Sequence, residues 1–282
     1  MWHLRKPHAR KAQREVVTAL TSKGVLVQPF PPSRRRAMRS LYAQYDQRRG
    51  RPSEVLKGVG FPQAFSMAMH DAYDQVQEAG RLSTLRARLK LGASKCPYCG
   101  FGEIYNLDHH LPRSDYELLA IYARNLIPCC HVCNHKKRNL ASDDPNEHIA
   151  HVYLDALPRG RFLRAEVTIG RRSFRARFYV HQCTGMSAKL FERLKFQLDL
   201  FELNARYQAE VNDLIVSHRV SIELNATKPQ QLRRFLRMTR DSFRKSFGPN
   251  HWKTALFHAL MHSDDFVNGG YRKCFPVGGQ QV

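Results

Sequence analysis

The sequence predicts an α+β chain in which a small cysteine-bearing centre is flanked by mainly α-helical regions. Three observations carry this. Cys96-Pro97-Tyr98-Cys99 and Cys130-His131-Val132-Cys133 are two Cys-x-x-Cys pairs about thirty residues apart, the spacing that closes one tetrahedral metal site. Apolar residues on both sides recur at three- and four-residue steps, the period of one helix face. Residues 162–169 and 173–180 surround Gly170-Arg171-Arg172 and read as a β-hairpin.

In chain order, residues 9–20 form a short helix ended by Gly24, and Pro29-Phe30-Pro31-Pro32 breaks regular structure beyond it. A short stretch over 37–45 then lies between the basic clusters Arg34-Arg35-Arg36 and Arg48-Arg49-Gly50-Arg51. From Pro62, the residues Phe65, Met69, Ala72, Tyr73 and Val76 make one apolar helix face, and Gly80 suits its end. Leu82, Leu85 and Leu89 continue at helical spacing, with Arg81, Arg86, Arg88 and Lys90 on other faces. That helix reads equally as a support or as a surface for a nucleic acid backbone. Residues 104–107 read as a strand delivering Asp108 and His109, and Pro112 ends the segment. Asn134 falls near the start of a helix carrying Lys136, Lys137 and Arg138. Beyond the hairpin, Leu190, Leu194, Leu198, Leu200 and Leu203 open a helical region; residues 229–247 form a basic amphipathic helix, and 252–262 another. Three regions result: a basic, mainly helical 1–92, a metal-stapled module at 93–147, and a basic 148–282.

Bulk properties narrow the partners. The net charge is +22 over 282 residues. Residues 1–95 hold 19 Lys/Arg against 6 Asp/Glu, residues 96–147 hold 5 against 7, and residues 148–282 hold 22 against 11. A near-neutral centre between strongly basic flanks suits a protein whose flanks hold a polyanion. Nucleic acid is the expected partner, ahead of an acidic protein or an anionic membrane surface. No run approaches the roughly 18 apolar residues of a membrane span, and no apolar segment of a secretory signal follows the basic N-terminus, so a cytoplasmic protein is expected. In that compartment paired cysteines point to metal before disulfides. Cys129, Cys183 and Cys274 read as small buried residues.

Four thiolates form a closed site with no open position, which stabilises structure rather than reacting. Zinc is the expected ion, and Gly100 allows the tight turn after the first pair. The harder set is different. An Asp carboxylate and an Asn carbonyl make a partial shell for Mg²⁺, and a neutral histidine beside them is able to deprotonate water near pH 7.

Together, Cys96-Pro97-Tyr98-Cys99-Gly100, Leu107-Asp108-His109-His110-Leu111-Pro112, Asn125-Leu126-Ile127-Pro128 and Cys130-His131-Val132-Cys133-Asn134-His135-Lys136-Lys137 resemble the zinc-stapled HNH endonucleases. The likeness covers roughly residues 94–140. It implies a ββα-metal, treble-clef-like core and hydrolysis of DNA phosphodiesters. By the resemblance, Asp108 and Asn134 hold a catalytic Mg²⁺ or Mn²⁺, His109 is the general base, and Asn125 fixes the loop. Cys96, Cys99, Cys130 and Cys133 hold the structural zinc. Lys136, Lys137 and Arg138 are nucleic-acid-binding candidates. Arg138 stands where some members carry a further histidine, and His110 reads as a packing or hydrogen-bonding residue rather than a second base. Looser likeness at 151–155 and 250–252 is to standalone members, several of which act in antiviral defence in bacteria. The alternatives are a non-catalytic zinc-stabilised nucleic acid binder, and a nuclease subunit active only with a protein partner. No Gly-x-x-x-x-Gly-Lys-Ser/Thr loop occurs, so nucleotide-triggered control would need a separate ATPase; a homo-oligomer is the other expected assembly.

Overall fold

The computed structural model describes residues 3–170 and 173–275. The chain is mixed α+β, mostly helical, with small two-stranded antiparallel sheets. It divides into two compact units, His3–Ala156 and the part from Leu157 onward. The helices of region 1–92 and the cysteine-bearing module thus share one unit, and one core cluster runs from Ala12 to Leu126.

In the first unit, α1 (Ala12–Leu20) buries Val16, Ala19 and Leu20 at helical spacing. It stops before Gly24 because β1 (Thr21–Ser22) and β2 (Val25–Leu26) form a minimal hairpin. Lys23 and Gly24 supply its positive-φ turn. The expectation that the proline cluster only breaks structure needs correction. Pro32 is the first residue of α2 (Pro32–Gln47), where a missing N–H costs nothing. This helix therefore runs well beyond residues 37–45 at both ends. Its arginines are partly committed: Arg34 donates to the Pro29 carbonyl and Arg35 to that of Phe30 (2.9 Å), with their guanidinium groups over Phe65 and Phe30. Helix α3 (Gln63–Asp71) continues into a 3₁₀ turn, Ala72–Val76, and α4 (Ser83–Leu91) buries Leu85 and Leu89. Arg81 and Arg88 tie back to α1, through the Thr18 and Ala19 carbonyls and Glu15. Through Arg88, α4 thus braces α1.

Next, β3 (Asn106–His109) pairs antiparallel with β4 (Leu126–Cys129), placing Asp108 opposite Ile127 and His109 opposite Leu126. Helix α5 (His131–Lys137) begins at once after β4, capped by the Cys130 thiol accepting from the Cys133 N–H. It ends at Arg138, which takes positive φ outside the helix.

The second unit opens with β5 (Leu163–Ile169) and β6 (Phe174–Val180), paired as expected; the tip residues Arg171 and Arg172 lie outside the described residues. After them come α6 (Ala188–Leu200), α7 (Leu203–Ser217), α8 (Arg219–Asn225), α9 (Pro229–Phe247), α10 (Trp252–His262) and α11 (Asp264–Val267). In the core Trp252 stacks on Tyr207, with centroids 5.9 Å apart, and Phe178 packs edge-on against Tyr207 at 4.9 Å. Asn250 accepts from the Phe162 and Leu163 N–H groups and donates to the Gly160 carbonyl, fixing the start of the hairpin. Cys129 and Cys274 are buried, whereas Cys183 is only half-buried. Among the described residues no helix is long and apolar enough to cross a membrane.

Candidate metal centre and catalytic cavity

The sulfurs of Cys96, Cys99, Cys130 and Cys133 lie within 4.8 Å of one another, and all four residues are buried. Among the described residues no other group of three or more His, Cys, Asp or Glu side chains is arranged to hold a metal. The first knuckle closes through Gly100, whose φ is +86° and whose N–H donates to the Cys96 carbonyl at 2.7 Å. Gly102 is the second glycine the knuckle requires. A Cβ there would stand 2.7 Å from the Cys130 Cβ and 2.9 Å from its sulfur. Its N–H points at the Cys99 sulfur (3.4 Å), as the Cys133 N–H does at that of Cys130 (3.4 Å). Such bonds stabilise thiolate charge. The cluster is consistent with a zinc site.

Beside it lies a cavity of about 380 Å³. Asp108 and His109, from the end of β3, and Asn134, from α5, all line it. Successive strand side chains point to opposite faces, yet Asp108 and His109 both line this one cavity. Arg138, Arg113 and Tyr73 contribute to the walls.

The His109 Nε2 donates to the Ala120 carbonyl at 2.8 Å. A carbonyl only accepts, so Nε2 carries the proton and Nδ1 of the neutral ring holds the lone pair. Tyr73 packs edge-on against the ring, with centroids 4.4 Å apart, and donates to the Leu107 carbonyl on the same strand. Burial is the largest influence on the imidazole; the nearby Lys137 and Arg113 also disfavour its cation against the Ala120 carbonyl, and the ring is pushed down to about 3. It is neutral at physiological pH.

Asp108 is buried and doubly engaged. Tyr98 Oη donates to Oδ2 (2.8 Å) and Lys137 Nζ to Oδ1 (3.1 Å). Burial raises its carboxyl above the ordinary value, against the lowering influence of Lys137 and Tyr98. Lys137 is therefore not the phosphate contact expected from the basic helix. Its side chain is fully buried, and Nζ also donates to the His109 carbonyl at 2.6 Å. It belongs to the frame under the site. Lys136 is half-buried; Arg138 is exposed and lines the cavity.

Asn125 does not line the cavity. Fully buried, it accepts from the Leu111 N–H (2.8 Å) and Tyr45 Oη (3.0 Å), and donates to the Leu111 and Leu119 carbonyls (3.0 and 3.2 Å). The long loop between β3 and β4 is pinned by these bonds. Tyr45 is held in turn by His151 Nε2 at 2.9 Å. His110 packs on the His151 ring, 4.1 Å between centroids, away from the cavity. Gly50 fits beneath both: a Cβ would meet His151 at 2.4 Å and His110 at 2.9 Å. Tyr45, Tyr73, Tyr98, Gly50, Gly102, Arg113 and His151 were not singled out as site residues from the sequence. Tyr98, inside the first cysteine pair, Gly102, just beyond it, and His151, in the stretch with looser likeness, had a local signal.

Fold and site define a mostly helical α+β protein with a buried four-cysteine cluster consistent with a zinc site. The sequence is 26% identical over 191 residues to protein ea31 of Escherichia phage lambda, covering 62% of this chain and 64% of that protein. The chain thus spans less than two thirds of this relative's length. No protein-family model and no solved structure matches it.

Proposed function

We propose that the chain is a metal-dependent endonuclease of the HNH type that hydrolyses DNA phosphodiesters, with zinc in the four-cysteine cluster. The supporting observation is the cavity where Asp108, His109 and Asn134 meet, with the His109 tautomer fixed by Ala120. Nδ1 is then the base that takes the proton of an attacking water. Asp108 and Asn134 supply oxygen donors of the kind Mg²⁺ or Mn²⁺ takes, so the donor set fits a hard cation. The ion, when bound, stabilises charge on the scissile phosphate and the leaving 3′-oxygen. Arg138 and Arg113 line the walls where flanking phosphates need neutralising. The products are a 5′-phosphate and a 3′-hydroxyl. The Lys137 ammonium on Asp108 opposes further positive charge there, so a catalytic ion at that carboxylate would be held weakly.

One observation favours a non-catalytic nucleic acid binder: both Asp108 oxygens already have partners. Supercoiled plasmid with purified protein in Mg²⁺ or Mn²⁺ decides between them, run against EDTA and against His109→Ala and Asn134→Ala. Nicking or linearisation by the wild type alone supports the nuclease. Tight plasmid binding without cutting, in folded, zinc-loaded protein, supports the binder. Cutting restored only by a cell extract supports a subunit that needs a protein partner, the arrangement expected of a defence complex.

A further inference from the structure

The second unit holds a cluster of positive charge that the nuclease reading does not use. A cavity of about 330 Å³ opens between β5 and α10, and Arg161, Arg164, Tyr179, His258 and His262 line it. Arg161 stands just before β5 and Arg164 on it. His258 and His262 are one turn apart on α10, with rings stacked at 4.4 Å. The His262 Nδ1 donates to the His258 carbonyl (2.8 Å). From α9, Arg240 and Arg244 add their fields to Arg161, and Arg240 also acts on His258.

The counter-charge is short. Glu166 is the acidic residue on the lining, and it pairs outward with Arg177 (3.2 Å). Asp241 pairs with Arg240 (2.7 Å). The Nε of Arg164 is buried with no hydrogen-bond partner. Burial and the neighbouring arginines hold the Arg161 guanidinium below its ordinary value. Burial, Arg161 and His262 lead the influences that push His258 down to about 4. Like charges crowded together with a buried donor unmet suit an anion with several acceptor oxygens. Arginine forks match phosphate in two-bond geometry.

We infer that this cavity is a phosphate-binding site that grips a nucleic acid backbone, through Arg161, Arg164 and His258, apart from the catalytic cavity. The inference rests on the nucleic acid reading of the chain. A backbone fits better than a free phosphorylated metabolite because basic charge continues past the cavity. Arg237, Arg240 and Arg244 recur at three- and four-residue steps along α9, a track of roughly 10 Å at 1.5 Å per residue. Each nucleic acid strand offers one charge per roughly 3.4 Å of axis, so several phosphates face that track.

The test uses the full chain and a fluorescent DNA duplex in an anisotropy titration over a range of salt. It compares wild type, R161Q/R164Q, and the control R175Q/K189Q, which removes the same charge from exposed positions off the cavity. The cavity variant is expected to bind about tenfold or more weaker and to lose roughly two released ions from the salt slope. The control is expected to stay within about twofold of wild type. As a second readout, inorganic phosphate is expected to raise the Tm of wild type and of the control, but not of R161Q/R164Q. The phosphate-free cavity variant is expected to melt no lower than wild type, because repulsion is relieved.

Equal weakening by cavity variant and control overturns the site, leaving total charge as the cause. A duplex affinity unchanged in R161Q/R164Q, with the phosphate effect on Tm still lost, overturns the backbone as ligand in favour of a small phosphorylated molecule. If wild type binds no duplex at low salt, the nucleic acid reading itself fails. In that case the phosphate shift still reports on the cavity.

Discussion

Asn125 and Asn134 are chemically identical side chains with opposite expected behaviour. Asn125 satisfies four buried groups at once, on Leu111, Leu119 and Tyr45. Asn125→Ala strands them, at about 1–3 kcal/mol for each group left unmet. A loss of at least about 3 kcal/mol in urea unfolding is therefore expected, with cleavage lost because the loop is lost. Asn134 is half-buried on the cavity wall, so Asn134→Ala is expected to stay within about 0.5 kcal/mol of wild-type stability while cleavage falls by orders of magnitude. Equal stability for the two variants would contradict the loop-pinning role. Lys137 adds a second test. Removing one partner of a buried ion pair costs about 3–5 kcal/mol, so Lys137→Met is expected to destabilise by that order, whereas Lys136→Met is not. The motif spacing made Asp108, His109, Asn134 and the cysteines legible, because they cluster within one short stretch of sequence. It did not reveal Tyr45, which reaches Asn125 across 80 residues and His151 across 106. Lys137 was misread because a basic helix with no apolar stripe looks solvated throughout; only β3 lying under the helix makes it buried.

At the scale of elements, α5 has seven residues and β3 and β4 four each, too short to persist without tertiary support. The cysteine cluster sits where the first knuckle meets the β4–α5 junction. Bound zinc contributes on the order of 10–16 kcal/mol in comparable peptides. Chelation is thus expected to melt this segment, and Gly102→Ala to weaken zinc retention by pushing on Cys130. The check is a zinc-release assay beside amide exchange of residues 106–137; full protection after metal removal would refute the staple. In the second unit α7 does for β6 what another strand would do. Asn204 pairs with the Phe178 N–H and carbonyl (2.6 and 3.0 Å), and Gln208 with the Ala176 N–H and the Phe174 carbonyl (2.8 and 3.1 Å). Asn204→Leu leaves both Phe178 groups unmet, and a loss of about 2–3 kcal/mol in urea unfolding is expected. The hairpin, α9 and α10 were legible from alternation and periodicity. The amides that cover the sheet edge were not, since Asn and Gln on a helix carry no periodic signal.

The whole molecule distributes its charge differently from the three regions drawn on the sequence. Up to residue 156 the chain carries 24 Lys/Arg against 14 Asp/Glu, and beyond it 22 against 10, giving +10 and +12. The near-neutral cysteine module folds with basic helices, so the unit that holds the proposed catalytic cavity is itself basic. The other unit carries slightly more charge and the arginine-lined cavity. Proposed chemistry and proposed grip then fall in different units, and the two separate experimentally. A fragment spanning residues 3–156 contains its own core and every proposed catalytic residue, and circular dichroism tells whether it folds. If it does, its cleavage rate at saturating duplex and low salt is expected to lie within a few-fold of the full chain's. Its affinity is expected to fall away by physiological salt, with a slope of log K against log salt shallower by about 3, because roughly three fewer phosphates are neutralised at about 0.9 ions each. Equal slopes for fragment and full chain would remove the second unit from nucleic acid binding. A normal slope with no cleavage by the fragment would instead mean that catalysis needs a contribution from the second unit.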